Sequence, residues 1–231
     1  MIETIAFDAD DTLWHNERIF LSAKEKYTDI LSAYHDESWI VDHLDAAEMR
    51  NIKHFGYGIK GFTLSMVETA VDLTEGRVTG GEIREVIDLA RKMLASPIEV
   101  LDEVEETIRE LSESHRLLVI TKGDLFDQET KLARSGLGDY FDDVEVVSQK
   151  NSEVYRKILA RHEIDPNRFV MVGNSLKSDI LPVVELGSNA VHIPYETEWF
   201  HERVSAEELV GKDYIQIEKI SGLLSWLNER K

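Results

Sequence analysis

Three carboxylates lie within four residues near the start of the chain, at Asp8, Asp10 and Asp11. Like charges this close raise one another's pKa unless a cation lies among them. An all-oxygen site with room for water suits Mg²⁺, which takes one or two carboxylates together with the oxygens of a substrate phosphate. One carboxylate there could attack phosphorus and form an aspartyl-phosphate, while another two residues away protonates the leaving alcohol and then activates water. The cluster therefore indicates phosphoryl-transfer chemistry.

Polar and basic side chains also follow other short apolar runs of the chain. Thr121 and Lys122 follow the apolar run 117–120, Lys150 comes shortly after 144–147, and Asn174 follows 169–172 with Asp179 beyond it. In a parallel sheet the carboxyl ends of the strands lie at one edge, where open α/β folds bind ligands. We therefore expect carboxylates, a hydroxyl, an amine and an amide from distant parts of the chain to meet in one crevice.

The elements that would position these residues alternate in type along most of the chain. Residues 2–7 form a short β-rich run before the acidic cluster. After Pro97, short apolar runs alternate with segments of helical spacing up to the end of the chain. Such alternation indicates a parallel sheet covered by helices on both faces, that is, an α/β, Rossmann-like three-layer core.

A long segment after the first β-rich run interrupts this alternation. From residue 14 to residue 98 the apolar residues recur at helical spacing, and Thr79-Gly-Gly-Glu82 has the spacing of a capping box at a helix start. We therefore expect a core domain of residues 1–13 and 99–231, with an all-helical domain of residues 14–98 inserted after the first strand. The insertion is too long to be a loop.

Composition restricts the possible partners. The chain has 45 Asp and Glu against 26 Lys and Arg, a formal net charge of −19, which argues against a nucleic-acid or anionic-membrane partner. Cysteine is absent, so disulfides and thiolate chemistry are excluded. The sequence shows neither a basic signal region at its start nor an apolar run of about 18 residues, so we expect a cytoplasmic protein. An anionic substrate then needs local positive charge from a metal ion or from lysine.

Four segments resemble, in order, the four motifs of the haloacid dehalogenase (HAD) superfamily. Residues 8–12, Asp-Ala-Asp-Asp-Thr, are similar to the first motif in its phosphatase form, Asp-x-Asp-x-Thr, and residues 120–123 are similar to the second motif. Lys150 stands at the third motif, and residues 173–179 resemble the fourth. The helical insertion lies between the first two motifs, where the family's type-1 cap belongs. The resemblance implies a HAD-like core with a helical cap domain.

The resemblance implies a role for each matching residue. Asp8 would be the nucleophile and a metal ligand. Asp10 would be the general acid/base, with its main-chain carbonyl also touching the metal. Thr121 and Lys150 would hold the phosphoryl oxygens, with help from the backbone N–H groups of Asp10 and Lys122.

The resemblance also implies that Asn174 and Asp179 complete the shell of a Mg²⁺ ion, directly or through water. Many relatives have Asp where Asn174 stands. An amide oxygen can still bind Mg²⁺ but brings one negative charge fewer, so the sequence leaves open which of the two residues touches the metal. Lys150 is followed by Asn151 instead of the Pro common in relatives; the predicted strand 144–147 favours Lys150 as the phosphate-binding lysine, and Lys122 is the alternative.

Together these features imply a Mg²⁺-dependent phosphohydrolase that cleaves a small phosphate monoester through an aspartyl-phosphate on Asp8. Two alternatives stay open. A phosphomutase on the same scaffold would return the phosphoryl group to a sugar, and a receiver-like domain would only accept a phosphoryl group, although the long insertion argues against the second. The sequence does not distinguish among nucleotides, flavin mononucleotide, phosphoglycolate and sugar phosphates as substrates.

Overall fold

A computed structural model describes residues 1–197 and 199–230; Glu198, which falls in the charged segment 195–210, and Lys231 lie outside the described residues. One parallel sheet contains the strands β1 (Thr4–Phe7), β2 (Arg116–Lys122), β3 (Asp143–Val147), β4 (Phe169–Gly173), β5 (Asn189–His192) and β6 (Ile215–Gln216). The strand order is β3-β2-β1-β4-β5-β6. The predicted parallel α/β fold is confirmed.

The central position of β1 explains where a ligand site can form. After β1 the chain builds β2 and β3 on one side of it and then returns to build β4, β5 and β6 on the other side. Phe7, the last residue of β1, pairs with Val119 of β2 and with Val172 of β4. The reversal of strand order therefore occurs at the carboxyl end of β1, which is where open α/β sheets bind ligands.

Two compact units divide the chain. The helical unit comprises residues 16–97 and 123–127, and the core unit comprises residues 1–15, 98–122 and 128–231. The helical unit contains α1 (Glu17–Leu31), α2 (Glu37–Phe55), α3 (Ile59–Leu73) and α4 (Gly80–Ala95). These helices pack around an apolar core of their own, which includes the fully buried side chains of Tyr27, Ile40, Leu44, Phe62 and Met66.

The predicted capping box is present at the start of α4. The Glu82 backbone N–H donates to Thr79 Oγ1 at 3.2 Å, and the Thr79 backbone N–H donates to Glu82 Oε2 at 2.6 Å. Each side chain therefore satisfies a backbone N–H that the helix itself leaves without an acceptor.

The remaining helices are α5 (Val104–Ser112), α6 (Leu125–Ser135), α7 (Ser152–Arg161), α8 (Leu181–Val184) and α9 (Gly222–Asn228). Side chains on one face of the sheet, such as Ile5, pack with residues of α5 and α9. Side chains on the opposite face, such as Ala6, pack with residues of α7 and α8. Because successive strand residues point to opposite faces, this arrangement gives the expected three layers.

Helix α5 begins later than the sequence predicts. The pattern favours a helix from Val100, but Glu103 adopts a left-handed backbone conformation with φ 66°, and the helix begins at Val104. Upstream of it, the Leu101 backbone N–H donates to the Leu13 carbonyl, so this part of the chain is held next to the segment that follows β1. No described helix is both long enough and apolar enough to cross a lipid bilayer.

Candidate active site

The loop directly after β1 carries two of the predicted site residues. The Asp8 backbone N–H donates to the Val172 carbonyl at 2.9 Å, which continues the pairing of β1 with β4 by one residue. The chain then turns, with the N–H groups of Thr12 and Leu13 both donating to the Ala9 carbonyl. Asp11 takes a left-handed conformation, φ 63°, in this turn. The loop thus holds Asp8 at the carboxyl end of the central strand.

Lys150 lies between two buried carboxylates. Its ammonium donates to Asp8 Oδ1 in a short hydrogen bond and to Asp179 Oδ1 at 2.6 Å. The Lys150 and Asp179 side chains are each only 1% exposed. Three residues predicted from separate segments of the chain therefore meet in a single cluster, which we call the Asp8–Lys150–Asp179 triad.

The triad contains two carboxylates but only one ammonium. Burial raises the pKa of Asp8 above its ordinary value; the Lys150 ammonium opposes that rise and the Asp179 carboxylate adds to it. Burial alone would lower the pKa of Lys150, but the two carboxylates more than offset this and raise it. Lys150 therefore stays charged, and the fully ionised triad carries one negative charge more than its ammonium compensates.

Asp179 is held by an unusual helical turn. Residues Leu176–Ile180 form a π-helix directly before α8, and the Ser175 backbone N–H donates to Asp179 Oδ2 at 3.0 Å. Turns of this kind are rare and occur frequently at functional sites. Lys150 Nζ and Ser175 N–H each donate to a different oxygen of Asp179, so this carboxylate is fixed from both sides.

Gly173 leaves the space in which the Asp179 carboxylate lies. A Cβ atom at position 173 would be 2.3 Å from Asp179 Oδ2 and 2.4 Å from its Cγ. We therefore expect Gly173→Ala to displace Asp179 and to lower the free energy of unfolding by about 1–3 kcal/mol, the usual cost of overpacking. Urea denaturation measures this change. Gly80→Ala is the control, since a Cβ there meets nothing within 4 Å; an equal loss in both variants would contradict the prediction.

Asn174 is linked to the first loop through Thr12. The Asn174 backbone N–H donates to Thr12 Oγ1 at 3.1 Å, and that hydroxyl lies 3.3 Å from Asn174 Oδ1 and 3.5 Å from Asp8 Oδ2. His192 Nε2, from the end of β5, is 3.0 Å from the Asn174 carbonyl. Asn174 is therefore fixed beside Asp8, and the side-chain oxygens of both residues lie next to the Thr12 hydroxyl.

The Asp10 side chain lies among groups for which the sequence pattern indicates no role at the site. Its carboxylate accepts from Trp14 Nε1 at 2.8 Å, from Gln128 Nε2 at 2.8 Å and from Lys131 Nζ at 3.0 Å. Gln128 and Lys131 are three residues apart on α6, so they lie on one face of that helix. Both are buried; Lys131 forms an ion pair with Asp10, and Gln128 adds a hydrogen bond to it.

Thr121 and Lys122 end β2, next to β1. Thr121 is buried, and its hydroxyl lies 3.3 Å from the Lys122 carbonyl. The Lys122 ammonium donates to Ser178 Oγ at 2.9 Å and to Glu202 Oε1 at 2.5 Å. Lys122 is therefore engaged with the fourth motif through its side chain, and it is Lys150 whose ammonium contacts Asp8.

Asn151, which directly follows Lys150, caps the helix α7. Its side chain accepts from the Val154 backbone N–H at 3.0 Å and caps the N-terminus of α7. An N-cap residue needs a side-chain acceptor, which Pro lacks. Lys150 is thus fixed between β3 and a helix that Asn151 caps.

The donor set fits a magnesium ion. Among the described residues, no group of three or more His, Cys, Asp or Glu side chains is placed so that it could hold a metal ion. Mg²⁺ instead takes one or two carboxylates and completes its shell with waters and substrate oxygens. The Asp8 carboxylate and the Asn174 amide oxygen offer such ligands, and a cation beside them would compensate the excess negative charge of the triad.

Comparisons with known proteins match most of the chain to one family. The family model for haloacid dehalogenase-like hydrolases matches residues 2–187. A haloacid dehalogenase-like family hydrolase from Xanthomonas campestris is 38% identical, with a TM-score of 0.87 over 99% of this chain and 91% of that chain. The HAD hydrolase YfnB from Bacillus subtilis, solved with bound magnesium, shares the fold at 17% identity, with a TM-score of 0.70 over 98% of this chain and 99% of that one.

Two curated relatives match shorter parts of the chain. A glyceraldehyde 3-phosphate phosphatase from Methanothermobacter thermautotrophicus is 36% identical over 118 residues, 48% of this chain and 51% of that protein. The enzyme of the same name from Pyrococcus abyssi is 32% identical over 93 residues, 38% of each protein. The chain thus matches about half, or less, of the length of these relatives. The family match over most of the chain and the Xanthomonas structure together show that this chain belongs to the haloacid dehalogenase-like hydrolases.

Proposed function

We propose that the protein is a Mg²⁺-dependent phosphatase that hydrolyses a small phosphate monoester in the cytoplasm. The observation that carries this proposal is the contact of the Lys150 ammonium with both Asp8 and Asp179 at the carboxyl end of the central strand. A buried cation beside a carboxylate can hold phosphoryl oxygens while that carboxylate attacks phosphorus. The two relatives named as glyceraldehyde 3-phosphate phosphatases support a small phosphorylated metabolite as the substrate class.

In the proposed mechanism Asp8 attacks phosphorus, the bond to the ester oxygen breaks, and Asp10 protonates that oxygen as it leaves. Water then attacks the aspartyl-phosphate with Asp10 as the base, which releases inorganic phosphate and restores Asp8. Thr121, Lys150 and the backbone N–H groups of Asp10 and Lys122 bind the phosphoryl oxygens. For this role the Asp10 carboxylate has to turn from Lys131 towards the phosphoryl group.

We propose that Asp8, the Asp10 main-chain carbonyl and Asn174 hold the Mg²⁺, with Asp179 completing the shell directly or through water. Both oxygens of Asp179 already accept hydrogen bonds, from Lys150 and from the Ser175 N–H, which favours the water-mediated contact. The ion would neutralise charge on the phosphoryl oxygens. We further propose that residues 14–98 are the type-1 cap of the family and that residues 1–13 and 99–231 are its core.

The test is a screen of phosphorylated metabolites that measures inorganic phosphate release with Mg²⁺ present. We expect turnover of at least one three-carbon or sugar phosphate ester, loss of that turnover in EDTA and recovery when Mg²⁺ is returned. Acid quenching during turnover should trap a phosphoryl group on the peptide that contains Asp8. Turnover that is unaffected by EDTA would contradict the proposal.

The same experiment separates the two alternative functions. A phosphomutase would convert a sugar phosphate into its isomer and release little inorganic phosphate. A receiver-like domain would keep a stable phosphoryl group on the protein and turn over no substrate.

A further inference from the structure

Glu202 connects two motifs of the proposed site. It ends a short 3₁₀ helix, Phe200–Glu202, in the segment for which the sequence suggested no role. Its Oε1 accepts from Lys122 Nζ at 2.5 Å. Its Oε2 accepts from Ser178 Oγ at 2.5 Å and, in a shorter hydrogen bond, from Ser175 Oγ. One carboxylate from outside the four motifs therefore contacts the second motif and the fourth.

The Lys122–Glu202 pair is largely buried beside the residues that would bind phosphate. The exposed fractions of the two side chains are 15% and 12%. Lys122 directly follows Thr121, and its partner Ser178 directly precedes Asp179, whose carboxylate contacts Lys150. Because the pair is buried, water and ions screen its charge poorly. A net charge on the pair would therefore change the affinity of the phosphoryl site for charged substrates.

Glu202 is ionised at neutral pH. Burial alone would raise the pKa of this carboxyl, but the Lys122 ammonium and the hydrogen bonds from Lys122, Ser175 and Ser178 outweigh burial and lower the pKa to about 2. The pair therefore carries an ammonium and a carboxylate whose charges cancel. Without Glu202, the second motif would present a net positive charge next to the phosphoryl site.

We propose that Glu202 is a specificity-determining residue, which neutralises Lys122 and so disfavours substrates that carry a second anionic group beside the phosphate. This inference rests on the proposed phosphatase function and adds a substrate preference to it. The preferred substrates are phosphate esters of a neutral alcohol or aldehyde. The disfavoured ones are phosphate esters of hydroxy acids, which bring a carboxylate to the same site.

The test compares glyceraldehyde 3-phosphate with 3-phosphoglycerate, which have the same carbon chain but an aldehyde and a carboxylate, respectively. In Glu202→Gln the side chain keeps its size and the pair gains one positive charge. The amide oxygen can still accept from Lys122, and the amide NH2 can donate to the hydroxyls of Ser175 and Ser178, which then act as acceptors. We expect the ratio of kcat/KM for 3-phosphoglycerate to that for glyceraldehyde 3-phosphate to rise about tenfold, since one more unit charge nearby attracts the carboxylate. Because the pair is largely buried, added salt should change this gain only slightly.

Two further variants separate charge from structure. In Glu202→Gln combined with Lys122→Met, the added positive charge is removed and the ratio should return towards the wild-type value. Glu207→Gln removes one negative charge from an exposed position nearby in the chain and should leave the ratio unchanged. A purely structural role of Glu202 would lower both kcat/KM values together, and an unchanged ratio in Glu202→Gln overturns the inference.

A binding measurement keeps the inference testable apart from catalysis. Calorimetry in EDTA compares the Kd of 3-phosphoglycerate with that of glycerol 3-phosphate, for the wild type and for Glu202→Gln. We expect the variant to gain affinity for 3-phosphoglycerate about tenfold more than for glycerol 3-phosphate. If the wild type hydrolyses no phosphate ester, the proposed function fails while this ratio still decides the role of Glu202. Equal changes for both ligands, or no gain, overturn the inference.

Discussion

Replacing Asp8 by Asn should reduce kcat/KM for phosphate release by about 10⁴-fold or more, which is the usual effect of removing a covalent nucleophile. An amide oxygen is too weak a nucleophile to attack phosphorus, although it fills the same space next to Lys150. The phosphoryl group that acid quenching traps on the wild type should be absent from Asp8→Asn. Phosphate release and peptide mass spectrometry measure the two effects.

Asp11→Asn is the matched control for this substitution. Asp11 lies in the same loop and takes a left-handed conformation, which Asn tolerates well. We expect less than about a tenfold loss of kcat/KM, since Asp11 has no covalent role in the proposed mechanism. Equal losses in the two variants would show that the charge of the loop matters and not the position of one nucleophile, and wild-type activity of Asp8→Asn would exclude the aspartyl-phosphate mechanism.

Strand ends were the part of the site that the sequence predicted best. Buried parallel strands read as short apolar runs, and their carboxyl ends must lie along one edge of the sheet. This rule alone brings Asp8 and Lys150, 142 positions apart, into one expected crevice, and the structure has them in contact. The capping box at Thr79 was equally readable, because both of its hydrogen bonds depend only on neighbouring residues.

Contacts that depend on the direction of a helix could not be predicted. Gln128 and Lys131 contact Asp10 because of the direction in which α6 leaves β2. A spacing of three residues shows that they share one face of the helix, but it does not show which residues that face contacts. Glu202 lies in a segment without helical or strand periodicity, so no pattern connected it with Lys122. The π-helix at 176–180 likewise has no sequence signature of its own, since the apolar spacing predicts an ordinary helix over 178–186.

Replacing Lys150 by Met should impair both activity and stability. The variant would leave the Asp8 and Asp179 carboxylates facing each other in the interior without the ammonium that now lies between them. Removing one partner of a buried ion pair costs about 3–5 kcal/mol, so the free energy of unfolding should fall by that amount in EDTA, where no added cation offsets the charges. We expect kcat/KM to fall at least about 10²-fold, because charge on the phosphoryl oxygens loses a buried cation.

A double-mutant cycle identifies the cause of this loss of stability. Adding Asp179→Asn to Lys150→Met removes one of the two uncompensated charges, so we expect it to recover part of the lost stability in urea denaturation, whereas Asp179→Asn in the wild type should be destabilising. Lys157→Met serves as the control, because its ion pair with Glu153 on α7 is exposed and contributes little. If Lys150→Met were as stable as Lys157→Met, the buried triad would not be the electrostatic centre of the site.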